Sequence, residues 1–177
     1  MKKKLRLVPF ESPVLRKESD DIKKIDSEIK ELIKLMYESL DRFGGIGLAA
    51  PQIGINKKLA VINLAPGGHD ISLTVINPKI MSRSKYSTPY VEGCLSVPGV
   101  NGNVIRPARI KLKYINAEGE EKTARFGDLT ARVAQHEIDH LLGTLFIEKL
   151  SEEEKEKNRE GLKKLYKKLE KTKKKNR

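Results

Sequence analysis

The chain has 177 residues, of which 38% are hydrophobic and 34% charged, with a formal net charge of +12 and a single cysteine. That length makes one domain the default and is enough to bury a real core. One cysteine excludes an intramolecular disulfide and suits a reducing compartment, and no apolar run approaches the length needed to span a bilayer.

Met1-Lys2-Lys3-Lys4 resembles the start of a signal peptide, but Glu11, Arg16, Lys17 and Glu18 follow with no apolar run, so the expectation is a soluble, cytoplasmic protein. Residues 1–25 read as irregular, punctuated by Pro9 and Pro13. Ile29, Leu32, Ile33, Met36 and Leu40 then recur at helical spacing, with Asp26 or Ser27 available as cap and Gly44-Gly45 as terminator. This reads as an amphipathic scaffold helix. The next stretch, Gly45-Ile46-Gly47-Leu48-Ala49-Ala50-Pro51-Gln52-Ile53-Gly54, leaves backbone open to close approach. It lacks the Lys-Ser/Thr of a phosphate loop, leaving a plain turn or a loop laid against a ligand.

Short strands are expected at 59–64, 72–76 and around 80–86, separated by Pro66-Gly67-Gly68 and Asn77-Pro78, with His69 exposed in the first of these turns. Residues 109–114 are the clearest strand, with Ile110, Leu112 and Tyr114 facing in and Lys111 and Lys113 out. Ala117-Glu118-Gly119-Glu120 returns the chain into 121–126 as a hairpin. Beyond it, Leu129, Val133, His136 and His140 fall on one helical stripe, with Asp128 as cap and Gly143 as stop. Thr144 to Ile147 is a candidate strand. Ser151 with Glu154 forms a capping box leading one long charged helix, acidic at its start and basic at its end. The last few residues read as disordered. The fold class is therefore α+β, with mostly antiparallel sheets around a central helix, an N-terminal helix and a C-terminal helix. Residues 1–150 are expected to form the main domain, and 151–177 a basic C-terminal helix and tail.

Gln135-His136-Glu137-Ile138-Asp139-His140 carries the chemistry. On a helix the two histidines stand one turn apart, about 40° around the axis, close enough to converge on one ion. A surface pair or a hydrogen-bonded core pair is the alternative. A third ligand would decide. Glu92-Gly93-Cys94-Leu95-Ser96-Val97-Pro98-Gly99 holds the only sulfur that can supply it, in a segment bounded by glycine and proline. A thiolate with two imidazoles suits a soft or borderline divalent ion and leaves one tetrahedral position open. A lone cysteine can equally be a small buried hydrophobe.

Taken together, 45–52, 92–96 and 135–140 resemble, in order, the three motifs of the peptide deformylase family, and 13–16 and 99–107 add to the likeness. The resemblance covers roughly residues 5–150. It implies a compact α+β hydrolase that removes the formyl group from N-formylmethionine at the start of nascent bacterial or organellar polypeptides. It implies Fe(II) as the ion, with Zn, Ni or Co able to substitute, whereas the ligands alone would suggest zinc first. Cys94, His136 and His140 would hold the ion, and Glu137 would act as general base. The Gln52 amide and the Leu95 N–H would stabilise the oxyanion. Gly45, Ile46 and Gly47 would pair with the peptide, and Ile46, Leu95 and Val133 would line the methionine pocket. Asp139 is expected in a supporting role. Glu92 and Arg106 either brace the cysteine segment or are ordinary surface charges.

Two rivals remain at this level. A zinc endopeptidase shares the two-histidine motif but usually adds a histidine or glutamate, which the Cys94 segment argues against. A nucleic-acid-binding protein would explain the charge, yet 163–177 holds nine cations against Glu170 and so carries +8 of the +12. The body lacks a recognisable nucleic-acid motif, and no sequence-specific binding is expected. Leu162, Leu165, Tyr166 and Leu169 make an apolar stripe in this tail, either docked on the domain or presented outward beside lysines that reach the ribosome surface.

Overall fold

A computed structural model describes residues 4–175; the expected disorder of the last residues falls partly on 176–177, outside the described residues. Its elements are α1 (Ser27–Phe43), β1 (Gly47–Ala49), β2 (Leu59–Asn63), β3 (Ser72–Arg83), β4 (Ser87–Cys94), β5 (Val97–Pro107), β6 (Arg109–Ile115), β7 (Glu121–Gly127), α2 (Asp128–Leu141), α3 (Glu152–Lys157) and α4 (Arg159–Lys175), with short 3-10 turns between some of them. The α+β class holds. All paired strands are antiparallel, in a five-stranded sheet of order β1-β2-β3-β6-β7 and a two-stranded ribbon β4-β5.

The sheet is covered on both faces, and the period-2 alternation of its strands shows how. In β2, Ala60 and Ile62 pack with α2, while Leu59 and Val61 pack on the α1 side. α1 begins where the Asp26 carboxylate accepts the Ile29 N–H at 3.0 Å and ends at Gly44 in the left-handed conformation. Its buried Ile33, Met36 and Leu40 close one core. α2 lies between one face of the main sheet and the β4-β5 ribbon. Ten of its fourteen residues are buried, including Arg132, Gln135, Glu137 and His140, so each polar group needs an interior partner. A third core joins Val97, Val100 and Val104 of β5 to Phe10, Leu145, Phe146 and Leu165.

Several expectations are corrected. β3 runs unbroken through Asn77-Pro78, with a bulge there. At the bulge the Asn77 side chain brackets the Ile22 backbone, accepting its N–H at 2.9 Å and donating to its carbonyl at 2.8 Å, while the Asn77 N–H still donates to the Lys58 carbonyl at 2.9 Å. A bulge tolerates Pro78 because its missing N–H is not required by the ladder. Asp128 does not cap α2: it is the first helical residue at φ 48°, and Gly127 precedes it without a side-chain cap. Residues 144–147 are not a strand; a 3-10 turn spans Phe146–Lys149. Ser151 does accept the Glu154 N–H at 3.2 Å, but the long helix it opens is two helices divided at Asn158. The glycine- and proline-bounded segment around Cys94 is, as its composition suggests, a turn: β4 runs to Cys94, Leu95 and Ser96 reverse the chain, and β5 begins at Val97. In α4, Leu165 is buried and Leu162 and Leu169 pack on the third core, while Tyr166 meets the Phe10 ring edge-on at 6.0 Å. The stripe is therefore docked on the chain's own body.

Candidate metal centre and active site

Two elements bring the sequence-predicted ligands together. α2 presents His136 and His140 one turn apart, with ring centroids 5.1 Å from each other, and the end of β4 brings in Cys94. Their ligand atoms all lie within 4.8 Å of one another, and Cys94 Sγ is 3.2 Å from His140 Nε2. The donor set fits a borderline divalent ion, and each donor is held by its surroundings. His136 turns Nδ1 to the Glu92 carboxylate at 3.0 Å, which leaves Nε2 as the ligating nitrogen, and its ring stacks near Phe146. Burial pulls the His136 pKa down, but the Cys94 sulfur and Glu92 outweigh it and push it up to about 10, so an ion binding at Nε2 would displace a proton. Burial, reinforced by His136 and Arg106, holds His140 well below the ordinary histidine range, so that ring is neutral. A neutral imidazole has the lone pair that ligation needs. The Ser96 N–H and the Gln52 amide both point at the sulfur, at 3.4 and 3.6 Å.

Glu92 and Arg106, left open between brace and surface charge, are a buried pair. Arg106 donates through Nε at 2.6 Å and Nη2 at 2.9 Å to the two carboxylate oxygens, and through Nη1 at 2.6 Å to Asp139. Burial would raise the Glu92 pKa, yet Arg106 and His136 hold it at about 2. Arg132 completes this network and was not singled out from the sequence. Its Nη1 reaches Glu92 at 3.0 Å and the Val104 carbonyl at 2.9 Å, and Nη2 donates to the Thr88 carbonyl at 2.6 Å. The available signal was its place four residues before His136, on the same face of α2. Asp139 points away from the ligands, to Arg106 and to Lys149 at 3.3 Å.

Beside the ligands lies a cavity of about 520 Å³. Gly45, Ile46 and Gly47 line one side, Val91 to Leu95 another, and Leu129, Val133, His136 and Glu137 the floor. All four of the expected substrate-facing residues, Gly45, Ile46, Gly47 and Val133, are thus in one place. Gly47 has to be glycine: a Cβ there would strike the Glu137 carboxylate and lie 2.8 Å from Val133 Cγ1. Glu137 Oε2 is buried with no hydrogen-bond partner, and burial pushes its carboxyl up to about 7 against the opposing pull of His136 and Arg106. A carboxylate in this state is poised to exchange a proton near neutrality. Gln52, almost fully buried, accepts the Ala49 N–H at its Oε1 at 2.8 Å, which fixes the amide so that Nε2 faces Ser96 Oγ at 3.2 Å and the sulfur beyond it. Two strand edges flank the cavity, because β1 is the outer strand of its sheet and β4 has only β5 beside it. The arrangement can hold an ion, admit an extended chain between two edges, and supply a base and an amide donor at the same point.

Comparison with known proteins gives a consistent result. The profile of the family described as polypeptide deformylase matches residues 4–156. A peptide deformylase of Prosthecochloris aestuarii is 43% identical over 161 residues, covering 89% of this chain and 86% of the relative. The crystal structure of plant peptide deformylase PDF1B superposes with a TM-score of 0.90 at 36% identity, covering 97% of this chain and 94% of that one. That of the Thermotoga maritima peptide deformylase gives 0.80 at 38% identity, covering 84% and 99%.

Proposed function

The chain belongs to the polypeptide deformylase family and is a hydrolase that removes the N-formyl group from the formylmethionine of newly synthesised polypeptides, and we propose that it does so at Cys94, His136 and His140 with the groups around them. The observation that carries this assignment is the convergence of one sulfur and two ring nitrogens within 4.8 Å beside a buried, unpartnered Glu137 carboxylate. A divalent ion bound there supplies Lewis acidity and makes water acidic enough to attack near neutral pH. We take that ion to be Fe(II), on the family resemblance, with Zn, Ni or Co able to substitute.

The rest of the chemistry belongs to the chain. Glu137 Oε2 takes the proton from the attacking water and returns one to the departing amine, a task its raised pKa suits. Gln52 Nε2, held in place by Ala49, and the Leu95 backbone N–H donate to the oxygen that gains charge, where losing one donor costs about 3 kcal/mol of barrier. Gly45, Ile46 and Gly47 offer backbone to an extended peptide as an added strand, and Ile46, Leu95 and Val133 receive the methionine side chain. Glu92, gripped by Arg106 and Arg132, keeps His136 in the orientation that turns Nε2 inward.

Anaerobic assay of formate release from a short formyl-Met peptide, with metal analysis of the same sample, tests the proposal. Cys94→Ala should lose both metal and activity. Full metal occupancy in that variant, or internal cleavage of the peptide with the formyl group intact, would overturn it. We further propose a cytoplasmic enzyme that meets its substrate at the ribosome, with exposed Lys164, Lys167, Lys168 and Lys171 of the docked α4 contacting ribosomal phosphates. Among the described residues no helix is long and apolar enough to cross a membrane. Changing those four lysines to Gln should weaken ribosome co-sedimentation at low salt and leave formate release from a free peptide unchanged; equal co-sedimentation across a salt series would remove α4 from that role.

A further inference from the structure

Contacts from α3 and α4 reach the strand behind the site. Glu154, buried in the first turn of α3, turns its carboxylate onto β5. Oε2 accepts the Asn103 backbone N–H at 3.0 Å, and Oε1 accepts from Asn103 Nδ2 at 3.3 Å. At the junction of the two helices, Asn158 Nδ2 donates to the Asn101 carbonyl at 2.8 Å. Between these points Gly102 is roofed by the same segment, since a Cβ there would lie 2.7 Å from Leu150 Cδ2 and 2.9 Å from Glu154 Oε2. Gly161 of α4 sits against Gly99, where a Cβ would be 3.1 Å from the carbonyl oxygen.

The β5 residues held in this way are the register partners of the strand that carries the site. Val91 pairs with Asn103, Glu92 with Gly102, and Gly93 with Asn101. All three residues leading into Cys94 are thus opposite a residue that α3 or its junction with α4 grips. The grip matters because β4 and β5 form a ribbon of only two strands, and its register shifts between Gly93 and Cys94. A two-strand ribbon is marginal on its own, and the shift leaves the last step to Cys94 without a regular ladder to define it. A ligand set is held only if its atoms stay within a few tenths of an ångström of the productive geometry.

We propose that Glu154 and Asn158 are positioning residues for the metal centre: by fixing β5 from behind, they set where Glu92 and Cys94 stand relative to α2. This rests on Cys94, His136 and His140 being the metal site. The alternative is a brace that holds α3 to the body and stabilises the fold without affecting the site.

The test uses the full chain loaded with Co(II), reading the Co(II) dissociation constant by competition with a chelator and the thiolate-to-Co(II) absorption band. Glu154→Ala should weaken Co(II) binding by about tenfold, the lower end of what supporting residues of metal sites contribute, and shift the band. Glu154→Gln keeps an acceptor oxygen for the Asn103 N–H and should recover most of that loss. Asn158→Ala, which removes one hydrogen bond to β5, should act in the same direction by a smaller factor. Ile33→Val in α1, far from β5, supplies a control for general loss of stability and should leave the dissociation constant unchanged. Unchanged Co(II) binding in Glu154→Ala, or an equal change in the control, overturns the proposal. Should Glu154→Ala fail to fold, unchanged binding and an unchanged band in Asn158→Ala overturn it instead. A wild-type chain that binds no Co(II) would refute the metal site itself, whereas binding indifferent to both variants refutes only the positioning role.

Discussion

Replacing Arg106 with methionine should damage the protein more than removal of almost any exposed charge. Arg106 is 3% exposed and its guanidinium makes three short bonds, two to Glu92 and one to Asp139. Methionine fills comparable volume but leaves two carboxylates facing the gap. Breaking a buried pair by deleting one partner costs about 3–5 kcal/mol, because the remaining charge is stranded away from water. Here the loss is cushioned: Glu92 keeps Arg132 at 3.0 Å and His136 at 3.0 Å, and Asp139 keeps the half-exposed Lys149 at 3.3 Å. The lower end, about 3 kcal/mol, is therefore expected. For a chain of this length that is roughly 6–12 °C in Tm. Equilibrium urea unfolding of the metal-loaded protein measures the first quantity and calorimetry the second. Adding Glu92→Gln removes the stranded charge, so the double variant should lose less than the sum of the two single losses. A loss below about 1 kcal/mol for Arg106→Met, or strict additivity in the double variant, would refute the reasoning that this network is a desolvated unit.

Glu137→Gln should keep the metal and the fold while turnover falls by about 10²–10⁴, the usual worth of a positioned proton carrier; near-normal turnover in metal-replete protein would remove Glu137 from the chemistry. Gly47→Ala forces a methyl into the Glu137 carboxylate and Val133, so catalytic efficiency should drop and stability fall by about 1–3 kcal/mol. Wild-type kinetics in that variant would show that the backbone there is not in close contact with the base. Asp26→Ala deletes the cap on α1 and should cost about 1 kcal/mol in urea unfolding with no change in formate release. A chelator that strips the metal should lower Tm, and added Ni(II) or Co(II) should restore it, because a ligand bound only by the native state stabilises it by mass action; an unmoved Tm would mean that no ion is bound to the folded chain.

Local chemistry settled much of this protein in advance. Asp26, Gly44, Ser151 and Gly143 act over one helical turn, and each falls where the sequence put a helix boundary, whereas the start of α2 without its expected Asp128 cap and the junction at Asn158 were not legible. The alternation from Ile110 to Tyr114 and the spacing of His136 and His140 depend on the period of one element, so strand face and ligand face could be read directly. Cys94 is the chain's one cysteine, but its reading as a third ligand rather than a small buried hydrophobe came with the resemblance of the three motifs to a known family. What could not be read locally is what polar groups do once buried. Asn77 interrupts a strand pattern in sequence, yet in space it ties β3 to Ile22, fifty-five residues earlier. Arg132 looks like an ordinary helical arginine until α2 is enclosed, when its guanidinium must find Glu92, Val104 and Thr88. Glu154, buried in the first turn of α3, turns its carboxylate to the Asn103 backbone on β5, fifty-one residues earlier. Those pairings are set by desolvation. A donor or acceptor removed from water must be satisfied by whatever the fold places beside it, and that neighbour is decided only when distant segments meet.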